Sequence, residues 1–230
     1  MPLELNSRLC GTVHVIECKG RIVAGAEAQA LDAALRQDWC RNVLHVVLHL
    51  AEVDMIDSTG LGLIVRNMTS LRKRGGDLRL TDVHPQIMEV LRLTRIDTIV
   101  RVFPSEEEAI LSFLTWHAAP ETSRTVNRSI LLLDQSPDFC AFAAAVLAQK
   151  DHDVMSVNLV RDAKILLQVY KVDCILIGPS TLPEASETIA STLKSLAPAA
   201  QVLHVDPALK HSDPHHAAEV LHGMLATEAQ

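Results

Sequence analysis

Residues Val43 to Leu50 read Val-Leu-His-Val-Val-Leu-His-Leu, a short and nearly continuous apolar run. A strand buried on both faces has this appearance, and such a strand lies inside a sheet with helices on either side. The residues beyond it agree. Leu61, Ile64, Val65, Met68 and Leu71 recur at helical spacing, and Arg72-Lys73-Arg74-Gly75-Gly76 supplies the basic residues and glycine that end a helix. Around this pair, the pattern predicts strands over Thr12–Val23, Asp77–Asp82 and Thr98–Phe103. It predicts helices over Ala26–Trp39 and Pro85–Leu93 and another after Pro104-Ser105, where Ser105 and Glu108 form a capping box. Alternating strands and helices imply an α/β layer structure.

The later residues repeat the pattern. Strands at Ser129–Leu133, Asp153–Val157, Cys174–Ile177 and Gln201–Val205 alternate with helices at Pro137–Lys150, Arg161–Tyr170, Glu187–Leu196 and His215–Leu225. These are four β-α units of a doubly wound type. Residues 117–128 are polar, contain a proline and have no period, so they form the expected linker. The 230 residues then divide into domain-sized segments at 1–116 and 129–230.

Composition excludes several functions. Hydrophobic residues make up 48% of the chain and aromatics only 3%, so the cores are aliphatic and no platform for stacking bases is available. The net charge of −7 argues against nucleic acid or an anionic membrane as partner. The first 120 residues carry 13 basic and 15 acidic side chains and the remaining 110 carry 8 and 13, so the acidity lies mainly in the second half. No apolar run reaches the roughly 18 residues that cross a bilayer. Met-Pro-Leu-Glu-Leu is not a signal peptide. Cys10, Cys18, Cys40, Cys140 and Cys174 are scattered through apolar runs without a C-x-x-C spacing, as expected of reduced, mostly buried thiols in a cytoplasmic protein.

The chemistry candidate follows the buried strand. Asp57-Ser58-Thr59-Gly60-Leu61-Gly62 sits where a helix begins. One reading is structural: a small hydroxyl residue caps the first turn, and the two glycines allow close backbone approach. The other is a phosphorylatable hydroxyl. The free N–H groups and macrodipole of a helix start favour negative charge, and a phosphate would add about −1.5 to −2 charges to an exposed surface beside Asp57.

Residues 2–116 resemble a STAS domain of the anti-anti-sigma (anti-sigma factor antagonist) family. The resemblance rests on Val-Leu-His-Val-Val-Leu-His-Leu, on Met55-Ile-Asp-Ser-Thr-Gly-Leu-Gly-Leu63, on the Arg74-Gly-Gly-Asp-Leu78 turn and on Phe103-Pro-Ser-Glu-Glu-Glu-Ala109. It implies a STAS-type mixed sheet with helices, with Ser58 as phosphoacceptor, Thr59 as second choice, and Asp57 to Gly62 at the partner surface. It further implies partner switching. The unphosphorylated domain binds an anti-sigma factor with GHKL-type serine kinase activity, phosphorylation of Ser58 breaks the complex, and a PP2C-type serine phosphatase restores it. The protein itself would catalyse nothing. STAS domains also serve as accessory subunits of transporters, and a third reading is an adaptor that recruits another signalling output enzyme.

Residues 129–226 resemble a response-regulator receiver domain, a flavodoxin-like doubly wound fold, through Ile130-Leu-Leu-Leu-Asp134-Gln135-Ser136-Pro137-Asp138 and Val172-Asp173-Cys-Ile-Leu-Ile-Gly178-Pro179. Active receivers hold Mg²⁺ between two acidic residues of the first loop and a phosphoacceptor aspartate at the end of the third strand, and oxygen ligands of this kind suit that ion. Here one acid of the first loop is replaced by Gln135, and the phosphoacceptor position falls on Gly178. The expected hydroxyl falls near Val205-Asp206, and Lys210 is misplaced for the expected lysine. This half therefore reads as a degenerate receiver used for docking or for homodimer formation, with Asp134 a structural or surface residue.

No cofactor or metal is called for. His211, His215, His216 and His222 lack companions at a metal-ligand spacing and read as a solvated helix start. Gly60 and Gly62 form no phosphate-cradling loop. Arg72-Lys73-Arg74 reads as a helix end complementing its own dipole. No cysteine has the partners of a catalytic nucleophile.

Overall fold

In the computed structural model, residues 1–40, 43–117, 127–181 and 183–226 are described. The chain divides into two compact units, Met1–His117 and Ala118–Gln230. Of the expected linker, residues 118–126 lie outside the described residues.

The first unit is a five-stranded sheet in sequential order, β1 (Glu4–Cys10), β2 (Val13–Ile22), β3 (His45–Ile56), β4 (Asp77–Thr81) and β5 (Arg101–Phe103). β1 runs antiparallel to β2, and the other pairings are parallel. The sheet is therefore mixed, as expected. The helices are α1 (Ala26–Cys40), α2 (Ser58–Arg72), α3 (Pro85–Leu93) and α4 (Glu106–His117).

The long apolar strand sits at the centre of the sheet because both its faces are covered. On one face Ile16, Val46, Leu48, Leu78 and Leu80 pack with Leu31, Leu35, Ile64, Met68, Leu71, Ile87 and Leu91 from α1 to α3. Each such side chain contributes about 1.5–3 kcal/mol by leaving water. On the other face α4 buries Ala109, Ile110, Phe113 and Leu114. β3 runs to Ile56, six residues beyond the expected end at Leu50, and so carries the chain directly to Asp57.

Two expectations need correcting. The strand β1 was not anticipated. Its sequence, Glu-Leu-Asn-Ser-Arg-Leu-Cys, is half polar, which an edge strand with one paired neighbour tolerates. The strand expected over Thr98–Phe103 is shorter. Arg95 adopts a left-handed conformation (φ 57°), Ile96–Thr98 forms a 3-10 turn, and only Arg101–Phe103 pairs with β4.

The second unit is an all-parallel sheet of β6 (Ser129–Leu133), β7 (Asp153–Val157), β8 (Cys174–Ile177) and β9 (Gln201–His204), in the order β7-β6-β8-β9. Its helices are α5 (Pro137–Ala148), α6 (Val160–Val169), α7 (Pro183–Leu196) and α8 (Pro214–Ala226). Ile130, Leu132, Cys174 and Leu176 pack with α5 and α8. The alternate residues Leu131, Leu133, Ile175 and Ile177 are equally buried and point to the opposite face, where α6 packs on α7. Helices thus cover both faces.

Candidate functional site

Asp57 turns the chain from strand to helix. It is extended (φ −94°, ψ −179°) and is the N-cap of α2: its Oδ1 accepts the Gly60 N–H at 2.8 Å. Its Oδ2 accepts the Ala24 N–H at 2.8 Å, and its own N–H donates to the Ile22 carbonyl at 3.2 Å. One carboxylate thus ties the start of α2 to the loop after β2. These backbone donors, Gly60 foremost and then Ala24, hold the Asp57 carboxyl below the usual carboxylate range.

The cap is a different residue from the one expected. A hydroxyl was to satisfy the first turn, but the Asp57 carboxylate does so. Ser58 is left at the first helical position, exposed, with no hydrogen bond to its hydroxyl among the described residues. Thr59 beside it is also exposed.

A prediction follows from the lowered acidity. A group whose pKa is lower in the folded state adds stability above its unfolded value, and that stability is lost as pH falls through the folded value. Asp57→Ala should lower the melting temperature by several degrees at neutral pH. The gap from the parent should begin to narrow as pH falls below the unfolded carboxylate value of about 3.9 and close only below the lowered folded value, where Asp57 is protonated in the folded chain as well. Thermal melts at neutral and acid pH check this; a constant gap would mean that the charge contributes nothing.

The two glycines play different parts. A Cβ at Gly60 would fall inside 3.0 Å of the Ile22 carbonyl oxygen, so close backbone approach requires glycine there. Gly62 has nothing within 4 Å of such a Cβ and is exposed, so no packing explains it. Gly62→Ala should therefore stabilise the protein by about 0.5–1 kcal/mol, measured by urea unfolding.

The six residues from Asp57 to Gly62 do not form one surface. Ser58, Thr59 and Gly62 are exposed and Asp57 is partly so, whereas Gly60 and Leu61 are buried, Leu61 within the core shared by α1 to α3. Two exposed residues near the motif were not anticipated, one close in sequence and one brought there by the fold. Met55 is 53% exposed near the end of β3, and Ala24 is exposed in the loop that Asp57 holds. An exposed methionine two residues before the motif was the available signal for the first.

In the second unit Asp134 is fully buried. Its Oδ1 accepts the Ser136 N–H and its Oδ2 the Ser180 N–H, both at 2.7 Å. A Cβ at Gly178 would fall inside 3.0 Å of the Asp134 carboxylate. Asp134 thus fills the space above Gly178 and braces two loops. Gln135 instead lines a separate cavity of about 370 Å³ with Leu133, Asn158, Leu159 and Thr181.

Among the described residues no group of three or more His, Cys, Asp or Glu could hold a metal ion, and no helix is long and apolar enough to cross a membrane. Burial pushes the Cys18 thiol up to about 12 and the Cys140 and Cys174 thiols to about 11, which keeps them protonated and unreactive.

Residues 8–109 match the family model described as the STAS domain. BtrV of Bordetella bronchiseptica, whose name assigns it to the anti-sigma factor antagonists, is 32% identical over 101 residues, which are 44% of this chain and 87% of that protein. The anti-sigma F factor antagonist of Paenibacillus polymyxa is 28% identical over 80 residues, 35% of this chain and 66% of that protein. Among solved structures, an anti-sigma factor antagonist of Thermotoga maritima is 23% identical, covers 47% of this chain and 92% of its own, and superposes with a TM-score of 0.45.

Proposed function

This chain belongs, through its first unit, to the STAS-domain anti-sigma factor antagonists, and from that membership we propose that it acts by phosphorylation-dependent partner switching at Ser58. With Ser58 unmodified, the surface of Ser58, Thr59, Gly62 and Met55 binds an anti-sigma factor that is also a GHKL-type serine kinase. Phosphorylation of Ser58 releases that partner, and a PP2C-type phosphatase reverses the step. In this reading the chain works in the cytoplasm, as a ligand and substrate of enzymes and not as one itself.

The observation that carries the reading is the division of labour at the start of α2. Asp57 does the capping, so the Ser58 hydroxyl owes nothing to the fold and stands exposed. A kinase can take it without unwinding the helix. The Gly60 N–H is already committed to Asp57. A phosphate at Ser58 would therefore not be absorbed by that donor, and its charge of about −1.5 to −2 would stand beside a fixed carboxylate on the partner surface. The bare backbone at Gly62 fits the same use, since it lets a partner approach α2 closely.

The second unit is a degenerate receiver in this proposal, serving docking or homodimer formation. Its strand order supports the reading: numbered within the unit it is 2-1-3-4, the order of the first four strands of a flavodoxin-like sheet. Asp134 and Gly178 occupy the places of the receiver's acids and leave no acceptor at the end of β8.

The test is direct. The purified chain, incubated with its cognate GHKL kinase and ATP, should gain one phosphate, located at Ser58 by mass spectrometry. Ser58→Ala should take none. Phosphate found on an aspartate, or none on the parent chain, would overturn the proposal.

A further inference from the structure

We propose that the second unit binds a small neutral molecule with an amide edge, in the cavity at the carboxyl ends of β6, β7 and β8. The cavity measures about 370 Å³, ordinary for a small-molecule pocket. Leu133 and Gln135 line it from the end of β6, Asn158 and Leu159 from the end of β7, and Thr181 from the loop after β8. From β6 the chain passes through α5 to β7 on one side, and α6 carries it back across to β8 on the other. Open α/β sheets bind their ligands in the crevice at such a reversal, outside the carboxyl ends of the strands.

Polar groups at the cavity have hydrogen-bonding capacity to spare. Asn158 is held by its amide nitrogen, which donates to the Asp134 carbonyl at 2.9 Å and to Cys140 Sγ at 3.5 Å. Those bonds fix the side chain and leave its Oδ1 as an acceptor, not enclosed and without a hydrogen bond among the described residues. Leu159 is the N-cap of α6 and supplies no side-chain bond, so the Val160 N–H has no side-chain cap, and Val160 lines the cavity. Thr181 is 8% exposed, and its Oγ1 is enclosed without a partner. A buried hydroxyl left this way is costly. A turn about its one side-chain torsion exchanges hydroxyl and methyl, so the hydroxyl can be offered to an occupant of the cavity.

The chemistry of the lining selects the ligand. Among the described residues no charged side chain lines the cavity, so an ion taken from water would find no counter-charge there. Gln135, exposed, adds a neutral amide at the mouth. The rest of the lining is aliphatic, Leu133, Leu159, Val160 and Ile189, and suits an apolar body. Leu159 is 38% exposed, and an occupant would cover it. An amide N–H on the ligand matches the Asn158 Oδ1, and the adjoining carbonyl matches the Val160 N–H and the Thr181 hydroxyl. Asn158 and Val160 are close enough in the chain for one amide edge to serve both.

2-Quinolone, a neutral bicyclic amide, is a suitable probe, and N-methyl-2-quinolone has the same body without the N–H. Titrated into the full-length ¹⁵N-labelled chain, 2-quinolone should shift the amides of Gln135, Asn158, Leu159, Val160 and Thr181 along a saturable curve. The N-methyl compound should bind at least about tenfold more weakly, because it leaves the Asn158 Oδ1 unpaired. Thr181→Val removes a hydroxyl that has no partner, so it should keep the fold and weaken 2-quinolone binding about three- to tenfold. A cavity that is merely apolar would take both compounds alike and would ignore the Thr181 substitution. Absence of saturable shifts, equal affinity for the two compounds, or parental affinity in Thr181→Val would each overturn the proposal.

Discussion

Phosphorylated at Ser58, the chain should bind its anti-sigma partner about 30- to 1,000-fold more weakly than the unmodified chain, a cost of about 2–4 kcal/mol. Association removes water from the interface. On the proposed reading, a group with nearly two charges loses its hydration there, and a partner surface fitted to an uncharged serine would offer it no counter-charge. Asp57 makes the loss larger. Its carboxylate is held in place by the Gly60 and Ala24 N–H groups and cannot turn away from a new neighbour of the same sign.

The variants separate charge from shape. Ser58→Ala removes only a hydroxyl that bonds to nothing in the fold, so it should bind within a few-fold of the parent and resist switching. Ser58→Glu carries one charge at shorter reach and should fall between the parent and the phosphoprotein. Thr59→Ala should be phosphorylated and switched normally. Calorimetric titrations of a purified partner at low and moderate salt measure all of these. A penalty from charge shrinks as salt rises, whereas a penalty from bulk does not. Equal binding by the phosphorylated and unmodified chains would sink the switch.

Much of this architecture was legible because buried parallel strands announce themselves. Ile130–Leu133 and Cys174–Ile177 are continuous apolar runs and Val43–Leu50 is broken only by His45 and His49, and burial on two faces accounts for them. Helix α3 was equally plain, with Pro85 at its first position where a missing N–H does no harm. The losses have physical causes too. β1 is an edge strand, half polar, whose pairing is decided by its neighbour and not by its own pattern. The capping residue was misassigned because several adjacent oxygens can reach a free N–H. Asp57 prevails because its second oxygen also serves the Ala24 N–H, 33 residues away in sequence. Gly60 and Gly62 look alike in the chain, and only the position of the Ile22 carbonyl separates them. Nothing in Asp-Leu-Arg-Leu marks Arg79 as buried either, for that depends on α4 returning across the sheet.

Placing an acid at Gly178, the phosphoacceptor position in the proposed receiver reading, should break the second unit instead of activating it. Gly178→Asp is expected to destabilise that unit by at least about 3 kcal/mol, a large share of the 5–15 kcal/mol typical of a domain. The Gly178 N–H donates to the Leu133 carbonyl at 2.8 Å, which fixes the backbone at the end of β8. A Cβ there meets the Cβ, Cγ and Oδ2 of Asp134 inside 3.0 Å. Asp134 has no room to yield, because moving it frees the Ser136 and Ser180 N–H groups it holds at 2.7 Å. These donors are part-buried, so leaving them unpaired costs up to about 1–3 kcal/mol each. A second carboxylate beside the first adds like-charge repulsion away from water. Gly178→Ala carries the steric part alone and should cost about 1–3 kcal/mol, so the difference between the two variants reads the charge. With acetyl phosphate and Mg²⁺, Gly178→Asp should form no acyl phosphate. If it instead melts like the parent and is labelled at residue 178, Asp134 is still poised as a receiver acid and the second unit has lost only its acceptor.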